Sequence, residues 1–414
     1  MKRNRVVQGL AAIALIASGS LLQAEEEKSD IATAVTGGKA SIGIRYRYEF
    51  VDQDTFPENA NASTARLRLN YRTGLWKSWS AFGEFDHVFH VLLTDFNSGG
   101  GTTPDKNGVY PVVADPKGSD LNQLYADYTM DENWKFRFGR QRINLDNQRF
   151  VGGVGWRQNE QTYDALTLNT NALSNTALSY SYVAHVRRIF GQKVAAGEAK
   201  VDGHLLNAKV TLSNDWSVVP YFYFLDYDAA SNAANSTATL GARLAGSIKA
   251  GEGRIALIAE LATQSDAGNN PASYDAQYWH FDATWTLVNG LSLGLAYESL
   301  GSDSGVGFRT PLATLHKFQG WADVFVPPGT APDGINDLFA TVKYKLGDWN
   351  LTGVYHDFSA DTGGADYGTE FDFAVGRSLG KRYGVLFKGA FFSTDAPASY
   401  DDTTKFWVML TANY

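Results

Sequence analysis

The sequence has no cysteine and, beyond its first 24 residues, no run of 18 apolar residues. Without cysteine, a small secreted domain held by disulfides is disfavoured. A membrane-spanning helix needs about 20 mostly apolar residues, so a helical membrane protein is excluded. Charged residues make up only 19% of the chain, its net charge is -8, and aromatic residues reach 13%. A soluble secreted β-protein and a membrane-embedded β-protein remain.

The first 24 residues have the three parts of a secretory signal peptide. Three cations among the first five residues precede an apolar stretch from Gly9 to Leu22, and the small residue Ala24 suits cleavage. We therefore expect residues 1–24 to be removed on export. Residues 25–38 are predicted to be a periplasmic N-terminal tail, and residues 39–414 the folded domain.

Both ends of this domain alternate between apolar and polar residues. In the stretch 404–414, Phe406, Val408 and Leu410 share one parity, while in the stretch 40–51 one parity carries Ile42 and Ile44 and the other carries Ser, Gly, Arg and Glu. A period of two predicts β-strands. Because a terminal strand would leave an unpaired edge, we expect the last strand to pair with the first and close a barrel.

Short and long connections alternate along the whole domain. The stretches 249–253 and 347–348 are examples of short ones, and 92–120 and 301–336 of long ones. Outer-membrane barrels combine tight periplasmic turns with long extracellular loops, whereas a β-sandwich has no reason to keep this order. The sequence thus predicts an all-β fold, a transmembrane antiparallel β-barrel of about 18 strands. Four tryptophans beside short turns are predicted to belong to the periplasmic aromatic girdle: Trp79, Trp134, Trp216 and Trp349.

Arginines decide which face of the barrel wall is wet. On the first two predicted strands, five of them share the polar parity: Arg45, Arg47, Arg66, Arg68 and Arg72. Each would cost up to about 2–4 kcal/mol facing lipid near the midplane. Together they would consume the net stability of roughly 5–15 kcal/mol that a folded protein has. We therefore expect them to face a water-filled lumen.

The third long loop, 144–161 with its flanks, is rich in Arg, Gln and Asn. If it folds inward, its guanidinium groups join the strand arginines in a positive constriction, and Arg can grip carboxylates through two oxygens. The predicted pore-lining and anion-binding residues are Arg45, Arg47, Arg66, Arg68, Arg72, Glu84, Asp86, Arg137, Arg140, Arg142, Arg149, Arg157, Asp164 and Arg243. In the alternative reading, these arginines only pair with lumenal acids such as Glu49, Glu84, Asp86, Asp127 and Asp164.

Enzymatic signals are weak. His87 and His90 are three residues apart on a strand and point to opposite faces, so they cannot share a metal without a bulge. The stretch Gly301–Gly305 resembles a nucleophile elbow but has Asp303 where the serine is needed. A barrel hydrolase that uses His316 or His356 at the rim remains an alternative, and so does a surface adhesin that binds through the long loops. We predict no catalytic residue, no metal site, no cofactor and no nucleic-acid partner.

Several motifs resemble the alginate export family of outer-membrane channels. They are Gly139-Arg140-Gln141, Gln148 to Gly152, Trp156-Arg157-Gln158, Tyr163-Asp164, Pro311 to Phe318, Gly320 to Asp323, Tyr355 to Phe358 and Gly368 to Glu370. The resemblance spans most of the mature chain. It implies an 18-stranded monomeric barrel whose basic lumen passes a polyuronate or a related anion.

The combined prediction is a channel in the outer membrane of a Gram-negative cell that passes anionic saccharides. A general or uptake porin for small anions or oligosaccharides is the alternative. The expected partners are outer-membrane lipid, lipopolysaccharide, an anionic polysaccharide or oligosaccharide substrate, and periplasmic export components.

Overall fold

A computed structural model describes residues 30–326 and 331–414 of the chain. The predicted signal peptide and residues 25–29 lie outside the described residues. Within the described residues, no helix is long and apolar enough to cross a bilayer. One short helix, α1 (Ile31–Thr36), precedes the first strand and is capped by the side chain of Asp30, which accepts a hydrogen bond from the backbone of Ala32.

The described residues then form twenty β-strands, and eighteen of them build one sheet. The strands are β1 (Lys39–Gln53), β2 (Ala60–Arg72), β3 (Trp79–Asp95), β4 (Gly118–Thr129), β5 (Trp134–Gln141), β6 (Thr162–Leu173), β7 (Thr176–Arg187), β8 (Glu198–Thr211), β9 (Trp216–Tyr227), β10 (Thr237–Ala250), β11 (Gly253–Asp266), β12 (Asp275–Thr286), β13 (Ser292–Leu300), β14 (Ser302–Asp303), β15 (Val306–Gly307), β16 (Ile335–Leu346), β17 (Trp349–Ser359), β18 (Asp366–Leu379), β19 (Tyr383–Thr394) and β20 (Thr403–Asn413). The small pair β14 and β15 lies inside one long loop. Short 3-10 helices occupy Pro104–Lys106, Ala195–Gly197, Ala230–Asn235 and Leu315–Lys317.

The sheet closes on itself. β1 pairs antiparallel with β2 and also with β20, with Gly43 opposite Asn413 and Tyr48 opposite Val408. The backbones of Ile42 and Tyr414 exchange two further hydrogen bonds at the end of this seam. The predicted closed antiparallel barrel of 18 strands is therefore confirmed.

One end of the barrel carries only short turns, and we call it the short-turn end. Its tightest connections have two residues, as in the hairpin of Gly347 and Asp348, where Gly347 has the positive φ of 57° that such hairpins favour. Trp79, Trp134, Trp216 and Trp349 each begin a strand at this end. The opposite end, the long-loop end, carries nine longer connections.

Side-chain alternation separates an apolar outer face from a polar inner face. On β1, Ile42 and Ile44 are each 44% exposed on the outside, whereas Arg45, Arg47 and Glu49 are buried inside. β-bulges interrupt this alternation at a few places, including the pairing between β6 and β7 at Asp164 and Ala165.

The long-loop half of the interior is packed rather than empty. The third loop (residues 142–161) and residues 301–326 of the seventh loop, which connects β13 to β16, both fold into the barrel. Val151 and Leu312 join them through a parallel β-bridge. Both side chains belong to an apolar cluster that also contains Phe308 of the seventh loop and Tyr278 of the barrel wall. A second apolar cluster places Phe325 of the seventh loop against Phe358.

The wall tests the inside–outside assignment directly. Ala340 lies on the outer face midway along β16, and the next residue, Thr341, lies on the inner face. Because a cation near the lipid midplane costs about 2–4 kcal/mol, we expect Ala340→Arg to lower the free energy of unfolding in lipid vesicles by that amount. The matched variant Thr341→Arg should cost much less, and an equal or reversed cost in urea titrations would contradict the assignment.

Candidate functional site

The residues predicted to line the pore fall into three groups. Those on the inner face of the strands are Arg45, Arg47, Arg66, Arg68, Arg72, Glu84, Asp86, Arg137 and Arg243. Arg142, Arg149 and Arg157 belong to the third loop inside the barrel. The third group, Arg140 and Asp164, lies on the outer face of the barrel.

Arg140 and Asp164 are a correction to the sequence prediction. Arg140 lies opposite Leu124 and Asp164 in the sheet. Leu124 and Phe138, which share its face, are 53% and 42% exposed on the outer surface. The outward Asp164 carboxylate accepts hydrogen bonds from Arg140 at 2.8 Å and from Arg187. This pair therefore neutralises itself near the long-loop end of the outer face and does not line the lumen.

Arg45 and Arg66 lie directly opposite each other on β1 and β2. Arg45 donates to the side chain of Gln158 at 3.0 Å and to the carbonyl of Gly155 at 2.9 Å, and Arg66 donates to the carbonyl of Gln158 at 3.1 Å. Of all carboxylates in the described chain, only that of Glu160 comes within ion-pair distance of either group, 3.7 Å from Arg66. Since like charges directly across a sheet are destabilising, stability alone gives no reason for this pair.

Glu160 anchors the third loop to the wall. Its carboxylate accepts from Arg68 at 2.9 Å and from Arg142 at 2.6 Å. Burial alone would raise the pKa of Glu160, but Arg68, Arg142 and Arg66 outweigh burial and lower that pKa to about 2. Arg68 also binds Asp86 through two nitrogen atoms, at 2.7 and 2.6 Å. Glu160 is therefore ionised at neutral pH, and its ion pairs fix the loop against β2 and β3.

A second ionic cluster joins three long loops to β1. Arg157 of the third loop donates to both oxygens of Glu49, at 3.0 and 3.2 Å. Arg47 pairs with Asp115, which belongs to the loop between β3 and β4 and is fully buried. Burial alone would raise the pKa of Asp115, but Arg47 and Arg157 lower it. Asp323 of the seventh loop completes the cluster at 3.4 Å from Arg157.

The seventh loop is tied to the wall through His316. Burial lowers the pKa of His316 to about 3, so the imidazole is neutral at physiological pH. Its Nδ1 donates to Asp323 at 2.8 Å, and its Nε2 accepts from the ammonium group of Lys388 on β19 at 2.6 Å. Trp156 of the third loop stacks on the same imidazole at 4.5 Å, and Lys388 also lies 3.6 Å from the ring of Trp321.

Most lumenal arginines are therefore compensated. Besides the clusters above, Arg149 lies 3.1 Å from Glu298 and Arg243 lies 2.7 Å from Glu260. Removing charges from water is costly unless they are paired, which explains why buried carboxylates accompany these guanidinium groups. Among the described residues, most of these guanidinium groups therefore have a carboxylate within 4.0 Å, whereas Arg45 of β1 and Arg309 of the seventh loop have none.

A cavity of about 660 Å³ opens at the long-loop end above these clusters. Its polar floor contains Arg157, His316, Asp323 and Lys405, and its walls include Phe56 and Phe190. The cavity thus lies at the long-loop end, next to the side chains that anchor the third and seventh loops.

Sequence reasoning missed the partners that the loops contribute. Asp115 and Asp323 reach the cluster around Arg157 from loops far away in sequence. No local periodicity marks a loop carboxylate that enters a barrel, so only the inward folding of the loops makes these residues recognisable.

A family model described as alginate export matches residues 39–297. Three solved structures have the same fold over nearly their whole length. OccAB4 of Acinetobacter baumannii has a TM-score of 0.71 at 12% identity and covers 91% of this chain and 98% of its own. OccK3 (OpdO) of Pseudomonas aeruginosa has a TM-score of 0.70 at 12% identity and covers 93% of this chain and 97% of its own. OccK11 (OpdR) of the same organism has a TM-score of 0.68 at 15% identity and covers 92% of this chain and 97% of its own. No curated protein sequence matches the chain.

The anchor at Glu160 yields a test. Removing one partner of a buried ion pair typically costs about 3–5 kcal/mol, and each 1.4 kcal/mol is about tenfold in population. We therefore expect Glu160→Gln to accelerate tryptic cleavage at the buried Arg149 and Arg157 by at least roughly tenfold in the folded barrel. Glu132→Gln, the same change at an exposed position in a short turn, is the control. Equal cleavage rates for both variants would show that Glu160 does not hold the loop.

Proposed function

Because the chain belongs to the alginate export family, we propose that it is an outer-membrane channel that passes anionic saccharides through a cation-lined lumen. The observation that supports this most is the opposed pair Arg45 and Arg66, inside the barrel and held by carbonyl and amide oxygens of the third loop. Hydrogen bonds to neutral oxygens leave the positive charges in place. A carboxylated sugar that reaches them finds planar donors suited to its two oxygens.

A channel needs sites that bind weakly enough for release. The arginines that form ion pairs with a protein carboxylate fit this requirement, as Arg243 does with Glu260. A passing carboxylate then competes with the protein carboxylate for the guanidinium group and is released easily. The proposed path is a series of exchangeable sites rather than one tight site.

The alternative is an uptake porin for small anions. The filling of the long-loop half by the third and seventh loops favours it, because a narrowed lumen suits short solutes better than a polymer. Both readings place the barrel in the outer membrane as a monomer, with lipopolysaccharide around its outer face. They differ in the length of the saccharide that crosses.

Planar-bilayer recordings test the proposal. The wild-type channel should be selective for chloride over potassium in a salt gradient, and Arg45→Gln with Arg66→Gln should move the reversal potential towards zero. Glutamine keeps hydrogen-bond donors for the loop carbonyls while it removes the charge. Arg377→Gln is the control, because Arg377 lies on the outer face beside Trp349 and Asp348.

Three outcomes separate the readings. Anion selectivity with block by both short and long oligouronates supports the saccharide channel, and block by short ones alone supports the uptake porin. A barrel that does not conduct, or a reversal potential that the double variant leaves unchanged, would contradict the proposal and favour an enzyme or an adhesin.

A further inference from the structure

The charged side chains on the inner face at the short-turn end are mostly cations. Within four residues of the strand ends there, the inward positions carry Lys39, Arg72, Lys135, Arg137, Lys209, Lys249, Arg254, Lys343 and Lys345. The carboxylates among those positions are Asp127 on β4 and Asp282 on β12. The cations come from seven strands, β1, β2, β5, β8, β10, β11 and β16, and we call this set of residues the basic rim.

Five lysines of the basic rim are exposed and unpaired: Lys39, Lys209, Lys249, Lys343 and Lys345. No carboxylate oxygen of the described residues lies within 4.0 Å of their ammonium groups. The remaining cations are partly compensated, since Asp127 serves Arg72, Lys135 and Arg137 together and Asp215 pairs with Arg254.

The register fixes the direction of these lysines. On β8, Leu206 has the parity opposite to that of Lys209 and is exposed on the outer face. On β16, Val342 and Tyr344 alternate with Lys343 and Lys345 and are likewise exposed on the outer face. The pairings of β10 with β11 and of β16 with β17 run without a shift up to the turns. The lysines therefore lie on the lumenal side of the wall.

The long-loop end carries more acidic than basic side chains at its surface. Its exposed rim and loops carry Asp52, Asp54, Glu58, Asp95, Asp105, Asp228, Asp361, Asp366, Asp395 and Asp402, and the exposed lysines there are Lys117, Lys193, Lys200 and Lys317. An anion therefore finds an attractive potential at one mouth and a repulsive one at the other. Clusters of one sign in a concave, low-dielectric wall concentrate counter-ions and raise association rates by roughly 10- to 1000-fold at low salt.

We infer that the basic rim is a capture site for polyanionic saccharide chains and that it makes entry from the short-turn end faster than entry from the long-loop end. Several exposed ammonium groups on different strands of one mouth suit a chain with many carboxylates better than a single small anion. Because short turns lie on the periplasmic side of outer-membrane barrels, the capture site favours outward passage. The inference rests on the proposed function, to which it adds a site and a direction.

Single-channel block by a negatively charged oligomer measures this. An oligogalacturonate of defined length is added first to one side and then to the other at 0.1 M salt, and the association rate is taken from the frequency of block events. We expect the rates from the two sides to differ by roughly tenfold or more and to converge at 1 M salt, where the screening length falls from about 10 Å to 3 Å.

A variant in which all five unpaired lysines are changed to glutamine identifies the end of the barrel that causes the faster association. It should reduce the association rate on the faster side only and leave the slower side unchanged. Lys77→Gln with Lys381→Gln is the control, because both exposed lysines lie in turns at the same end but off the inner wall. Maltohexaose, a neutral oligomer, should show no difference between the two sides.

The result separates this inference from the proposed function. An anion-selective channel with equal block rates from both sides, or a five-lysine variant that keeps the asymmetry, overturns the capture site and leaves the proposed function standing. A channel without anion selectivity overturns the proposed function itself.

Discussion

Closure of the sheet between β1 and β20 is the constraint on which the rest of the structure depends. In hydrocarbon, every unpaired backbone N–H or C=O costs several kcal/mol, so only a sheet without edges can span a membrane. The register from Gly43 opposite Asn413 to Gln53 opposite Thr403 removes the last edge. Once the wall is closed, alternation leaves two environments, and each charged side chain on a strand must take the inner one or find a partner near the rim.

The inner environment brings its own demand. A guanidinium group that loses water needs a compensating carboxylate, and the loops supply part of them. Glu160, Asp115 and Asp323 enter the lumen and bind Arg68, Arg47 and Arg157. Loop folding and charge compensation are therefore coupled.

The alternation of residue types was sufficient to predict the strands, their number and the closed barrel, because burial against lipid imposes a period of two. The same rule, extended one step, would have placed Arg140 correctly, since it continues the outward parity of Phe136 and Phe138. The loop partners could not be predicted, because Asp115 and Arg157 are brought together by folding rather than by spacing. The basic rim is equally hidden in the sequence, where each lysine stands alone near a different turn.

Thiol accessibility along β1 tests the central claim most directly, because the chain has no cysteine of its own. Single cysteines at Ser41, Ile42, Gly43 and Ile44 would be exposed to a water-soluble, membrane-impermeant thiol reagent in lipid vesicles. A wet inner face behind an apolar wall predicts modification at 41 and 43 and protection at 42 and 44. Modification at 42 and 44 with protection at 41 and 43, or equal reaction at all four positions, would contradict it.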